Sequence, residues 1–152
     1  MSFSTPETPA STHYQDGDDE TPKLIKAHAK DEFFALKTAI ELNGVTVTSM
    51  LGSELCPDHI FPNWFITFED KTFQLFSMKA ENRRLEKTKE MIEFLSLHYS
   101  LNGDLTEYED EGLFLEATSS MVFDKVNRVV YAAISPRTNA DLTKKWCIDN
   151  NY

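Results

Sequence analysis

A glutamate and an arginine that bracket a short hairpin are the pair in this sequence best placed to do chemistry together. Glu116 precedes the strand-like run Met121-Val122-Phe123-Asp124, and a polar turn follows at Lys125 to Arg128. The chain then returns through Val129-Val130-Tyr131-Ala132-Ala133 to Arg137. A hairpin brings its two ends to one edge, so the carboxylate and the guanidinium are predicted side by side. Such a pair suits a zwitterionic amino acid: the arginine forks onto a carboxylate, and the glutamate accepts N–H groups from a guanidinium or ureido head. The same two charges also describe a surface ion pair. Spacing alone favours that plainer reading, because most exposed pairs have little consequence.

Two other segments set charge beside a strand end: Asp58 through Trp64, which includes Asn63, and Glu81-Asn82-Arg83-Arg84. Taken alone, Arg83 and Arg84 read as the basic start of a helix in an otherwise acidic chain. Nucleophilic catalysis needs an activated thiol with a base in reach. Cys56 lies in a loop beside Asp58 and His59 but reads as a loop cysteine. Cys147, behind Trp146 in a terminal helix, reads as packing, and His98 as a core-edge residue; His13 and His28 have no visible partners. No Cys–His pair stands out, so no residue is assigned a catalytic role. The two cysteines form no CxxC and have no histidine at a zinc-ligand spacing, so neither a metal nor another cofactor is expected.

Several elements must position these residues. Ser2 to Pro22 is rich in Ser, Thr, Pro and acid and reads as a flexible segment, giving residues 1–22 as a tail and 23–152 as the folded part. Thr21 is a candidate N-cap with Pro22 in the first turn. Ala29, Phe33, Leu36 and Ile40 recur at helical spacing, and Asn43-Gly44 ends that helix. The β-branched Val45-Thr46-Val47-Thr48 reads as a short strand. A loop over Gly52 to His59 leads to a hairpin, Trp64 to Phe68 paired with Thr72 to Phe76 across the polar turn at Glu69-Asp70-Lys71. A second amphipathic helix is expected over Leu85 to His98, stopped by Asn102-Gly103, then an acidic loop or edge strand over Asp104 to Gly112. The hairpin between Glu116 and Arg137 follows, and then a helix over Ala140 to Asp149 capped by Thr138 or Asn139. The order is helix, strand, hairpin, helix, edge strand, hairpin, helix, which is α/β and looks modular. A chain that stops on a helix with no closing element reads as a repeat architecture cut open.

The chain has 152 residues, which fits one domain, and 41% of them are hydrophobic, enough for a core. The net charge of −10 argues against nucleic acid and against an anionic membrane surface as partners. Met1 to Ala10 has neither a basic n-region nor an apolar run, so no secretory signal is read, and two thiols without one point to a cytoplasmic, reducing setting.

Four segments, in order, resemble the amidinotransferase-like guanidino-group-modifying superfamily, which includes citrulline hydrolases and arginine deiminases. They are Pro57-Asp58-His59-Ile60-Phe61-Pro62-Asn63-Trp64-Phe65, Met78-Lys79-Ala80-Glu81-Asn82-Arg83-Arg84-Leu85-Glu86, Phe114-Leu115-Glu116-Ala117-Thr118-Ser119-Ser120-Met121-Val122 and Tyr131-Ala132-Ala133-Ile134-Ser135-Pro136-Arg137-Thr138. The resemblance implies a pentein, an α/β propeller of five modules, with this chain holding roughly the first half of them. It implies attack of a cysteine thiolate on a guanidinium or ureido carbon, hydrolysis of the adduct by water, and no cofactor. It implies that Glu116 holds the head group and Arg137 the amino-acid carboxylate, that Arg83 or Arg84 assists, and that Asn63, in the segment opened by Asp58, faces the head group. The substrate would be a small amino acid of the citrulline or arginine class. This sequence departs from the pattern in having one Asn before Trp64, and Ala117 and Ser119 where the family has glycines. The family's histidine and nucleophilic cysteine have no counterpart here. The expectation is therefore an N-terminal half, inactive alone. The alternative is a binding or regulatory half that joins a complementary half or a second copy.

Overall fold

The computed structural model describes residues 22–152, with Glu54 and Pro57 excepted. The expected tail and the Thr21 cap lie outside the described residues. The chain divides into two compact units, Met1–Ile60 and Phe61–Tyr152.

In the first unit α1 spans Pro22–Leu42. It stops where expected: Gly44 takes φ +82°, the left-handed conformation that glycine adopts without strain. Its N–H bonds the Glu41 carbonyl at 3.0 Å, and the Val45 N–H reaches back to the Ile40 carbonyl at 3.4 Å. Val45 to Thr48, expected as a strand, has no regular structure. β-Branched residues favour a pleated surface only where a neighbouring strand supplies the ladder, and these four find none.

The second unit holds the remaining elements. β1 (Phe65–Thr67) and β2 (Thr72–Leu75) form the expected antiparallel hairpin, with Phe65 opposite Leu75 and Thr67 opposite Phe73. The single helix expected over Leu85 to His98 is instead two: α2 (Glu81–Arg84) and α3 (Lys89–Ser96). Thr88 makes the break, because its side chain caps a new start by accepting the Met91 N–H at 3.3 Å. Asn102-Gly103 does not stop a helix either. It lies inside β3 (Ser100–Asp104), which pairs parallel with β2. The register slips there, and a Cβ at position 103 would come within 3.0 Å of the Gln74 side chain, so glycine is what allows the close approach. A 3-10 turn at Thr106–Glu109 follows, in place of an edge strand over Asp104 to Gly112.

The last part runs through α4 (Ala117–Ser120), the hairpin β4 (Met121–Asp124) and β5 (Val129–Ala132), and α5 (Ala140–Asp149). Asn139 caps α5 by accepting the Leu142 N–H at 2.9 Å. Alternation along β2 builds two cores. Phe73 and Leu75 join Trp64, Met78 and Leu95, while Phe76 joins Leu115, Met121, Leu142 and Trp146. Gln74, buried between sheet and helix, accepts the Trp146 indole N–H at 2.7 Å and donates to Asn150 at 2.6 Å. Among the described residues no helix is long and apolar enough to cross a membrane.

Candidate functional site

The structure brings Glu116 and Arg137 together. The segments that carry them meet in an antiparallel bridge between Leu115 and Thr138. The Glu116 N–H points at the Arg137 carbonyl at 3.3 Å, and the Asn139 N–H donates to the Phe114 carbonyl at 2.7 Å. A hydroxyl relay locks the bridge. Thr138 donates to Ser120 Oγ at 2.8 Å, Ser120 donates to the Arg137 carbonyl at 3.0 Å, and the Glu116 N–H donates to Ser120 Oγ at 3.0 Å. Arg137 Nη1 then stands 3.7 Å from Glu116 Oε2.

Glu116 is wholly buried, yet the Arg137 side chain is 43% exposed. A buried carboxylate must have partners, and its two oxygens are served unequally. Oε1 accepts the Lys79 N–H at 3.0 Å. Oε2 has longer contacts, Ser119 Oγ at 3.3 Å and Arg137 at 3.7 Å. The Ser119 hydroxyl also lies closer, at 2.8 Å, to the Glu116 carbonyl. An ionised carboxylate carries about four acceptor positions, so Oε2 retains capacity for a donor from outside. The tight turn after Glu116 places Ala117 at φ +33°. That is the position where the resembled family has glycine, and the left-handed conformation persists here with a side chain that disfavours it.

Asn63 joins this cluster through Thr118, whose hydroxyl donates to Asn63 Oδ1 at 3.0 Å. The two adjacent arginines part company. Arg83 turns into a buried pair with Glu86, Nε to Oε1 at 2.9 Å, and donates to the Phe61 carbonyl at 2.5 Å. Arg84 donates to the carbonyls of Met78 at 2.9 Å and Lys79 at 3.3 Å, and lies over the Phe114 ring. It thereby holds the stretch whose Lys79 N–H meets Glu116. Asp58 belongs to the first unit, half-buried in a turn.

Sequence reasoning missed the supports: Ser119, Ser120, Thr138 and the Lys79 backbone. Ser120 and Thr138 stand in the two segments that bracket the hairpin, but nothing in their types announces a relay. Of the cysteines, Cys56 is buried in the first unit, and burial pushes the Cys147 thiol up. His98 is exposed, edge-on to Phe94. Among the described residues no group of three His, Cys, Asp or Glu side chains could hold a metal. A cleft of about 300 Å³ lies at the turns of the two hairpins, lined by residues such as Phe68, Asp70, Lys125 and Arg128, and is not built from the Glu116 cluster.

No curated protein sequence and no solved structure gives a significant match to the chain. A family model described as "N,N dimethylarginine dimethylhydrolase, eukaryotic" matches residues 1–152. That extent corrects two expectations, the N-terminal half and the partial pentein with roughly half of the five modules. The match runs the length of the chain as one α/β domain of the family, not as half of one. The terminal helix that suggested an open edge is packed, with Leu142 and Trp146 buried against Phe76, Leu105 and Leu115. With its guanidino-modifying motifs in order and the family model spanning residues 1–152, the chain belongs to the eukaryotic N,N-dimethylarginine dimethylhydrolase family of hydrolases.

Proposed function

We propose that this chain binds an arginine-like amino acid through the Glu116 and Arg137 pair and serves hydrolysis of a C–N bond at its guanidino or ureido carbon, water replacing the departing amine. The observation that carries the reading is the half-served, fully buried Glu116 carboxylate beside a partly exposed arginine. A cationic or N–H-rich head group fits against Oε2, with charge-assisted hydrogen bonds as the attraction. Thr118 and Asn63 border the same turn. An arginine-like ligand is longer than the 3.7 Å that separates the pair. Arg137 must therefore swing away from Glu116, whose open oxygen it now faces, to take the ligand's α-carboxylate. Its exposure leaves it free to do so.

The test is a calorimetric titration with N,N-dimethylarginine, arginine and citrulline against wild type and Glu116→Gln. The glutamine keeps an oxygen for the Lys79 N–H but loses the charge. Affinity for the guanidinium ligands is expected to fall about 10- to 100-fold, the worth of a hydrogen bond to a charged group. Unchanged affinity would remove Glu116 from the binding site.

A second reading, a module that binds the amino acid without hydrolysing it, is favoured by the thiols. Cys56 has no exposure, and burial raises the Cys147 thiol away from the thiolate that nucleophilic attack requires. Release of amine from N,N-dimethylarginine by the purified chain would sink that second reading. Binding without release would support it.

A further inference from the structure

The stretch that follows β2 is held in an unusual way. The peptide between Met78 and Lys79 presents its oxygen to Arg84 Nε at 2.9 Å and its N–H to Glu116 Oε1 at 3.0 Å. The N–H of Met78 itself donates to Glu109 Oε1 at 2.7 Å, and the carbonyl of Lys79 accepts from Arg84 Nη2 at 3.3 Å. Side chains thus take the polar groups that a strand ladder would otherwise serve.

Glu109, at the end of the 3-10 turn, is the hub of this arrangement. It contacts Lys87 Nζ directly, and its other oxygen lies 3.8 Å from Arg84 Nε. Lys87 and Glu109 are 9% and 11% exposed, so the pair is nearly desolvated. Such a pair offers little net stability over apolar packing, which makes a geometric role the better account of it. Glu109 holds Met78 at its N–H, and at its carbonyl through Arg84. A peptide unit is planar, so fixing its oxygen also fixes the direction of its N–H.

We propose that Glu109, held by Lys87, is a positioning residue for Glu116. It fixes the Met78–Lys79 peptide so that the Lys79 N–H occupies Oε1 and turns Oε2 toward the ligand. The inference rests on the binding role proposed for Glu116, and it extends the site to a carboxylate that does not touch substrate.

The experiment follows the Lys79 amide by nitrogen-15 NMR during titration with N,N-dimethylarginine, for wild type, Glu109→Ala, Glu109→Gln and Glu116→Gln. In Glu109→Ala the Lys79 amide proton is expected to move upfield and the dissociation constant of the folded protein to rise about 10-fold, the low end for supporting-shell residues. Glu109→Gln is expected to restore most of both, because its amide oxygen still accepts the Met78 N–H. If Glu109→Ala fails to fold, Lys87→Met is read instead, with the same directions and a smaller change of about 3-fold, as for a single weakened contact. A lowered denaturation midpoint with the Lys79 shift and the affinity unmoved would overturn the proposal, since that is what a merely structural pair does. If wild type does not bind the amino acid, or Glu116→Gln binds as well as wild type, the substrate reading falls. The Lys79 shift then decides the clamp alone: displaced in Glu109→Ala it stands, unmoved it is overturned.

Discussion

Glu86 and Glu116 are both wholly buried, and each is paired with an arginine, but the two pairs differ in every other respect. Arg83 lies along Glu86 with contacts of 2.9 and 3.3 Å, gives a further N–H to the Phe61 carbonyl, and is 8% exposed. Arg137 reaches Glu116 with one nitrogen at 3.7 Å and is 43% exposed. The first guanidinium is spent on internal partners. The second is loosely held beside an oxygen with room for another donor. Burial of a charged pair therefore does not mark a site by itself. What separates the fixed pair from the open one is how many of its donors and acceptors are already used.

The sharpest way to break this comparison is to remove one partner of the closed pair. Glu86→Ala leaves Arg83 charged and buried without its counter-ion, and a loss of about 3–5 kcal/mol is expected in urea denaturation. A loss below about 1 kcal/mol, in the range of a surface pair, would show that water reaches Arg83 and that the pair is not closed.

At the open pair the effect moves from stability to binding. Arg137→Ala should change stability by no more than about 0.5 kcal/mol, as for an exposed side chain. Its affinity for N,N-dimethylarginine should fall about 10- to 100-fold, because the α-carboxylate loses a charged donor. Simple guanidinium ion, which has no carboxylate, should bind better than in wild type, since Arg137 no longer competes for Oε2. Equal weakening toward both ligands would mean that Arg137 does not change partners.

The turn after Glu116 gives a smaller effect. Ala117→Gly relieves the left-handed backbone, worth about 1–2 kcal/mol, but adds chain entropy to the unfolded state and removes a buried methyl, which together cost a similar amount. A net change under about 1 kcal/mol in thermal unfolding is the expectation. A loss well beyond that would show that the methyl carries the packing around Glu116.

The least effect is expected at the far end of the hairpin. Hydrogen bonds from the Asn127 side chain, and then from its backbone, hold the Asp124 carboxyl below its ordinary value. A carboxylate depressed in the folded state contributes stability above its ordinary pKa and loses it as pH falls through the lower folded value. The Asn127 amide should therefore keep its chemical shift through the usual carboxylate range and move only at more acid pH. A midpoint at the ordinary aspartate value would remove the turn contact.

The local features of the fold were legible because their causes are local. The end of α1 at Asn43-Gly44, the two hairpins and the Asn139 cap of α5 follow from glycine conformations, alternation and capping side chains within a few residues. The juxtaposition of Glu116 with Arg137 was legible for the same reason, since a hairpin returns its ends to one edge. Val45 to Thr48 was misread because a strand needs a neighbour that its own residues cannot report. Leu85 to His98 was misread because the Thr88 cap outweighed an apolar stripe that runs past it.

By itself the sequence determined which charges stand at which strand ends, and hence the chemical class of ligand they suit. Tertiary structure decided which of those charges are already spent. Arg83 and Arg84 differ by one position, yet on a helix neighbours point about 100° apart. One therefore enters the buried pair with Glu86, and the other caps the carbonyls of Met78 and Lys79. Glu116 looks the same as any carboxylate in the sequence. Only the approach of Lys79, Ser119 and Arg137, from 37, 3 and 21 residues away, leaves it with one oxygen filled and the other open. The use of a polar group depends on every partner within about 3 Å, and those partners are assembled by the fold.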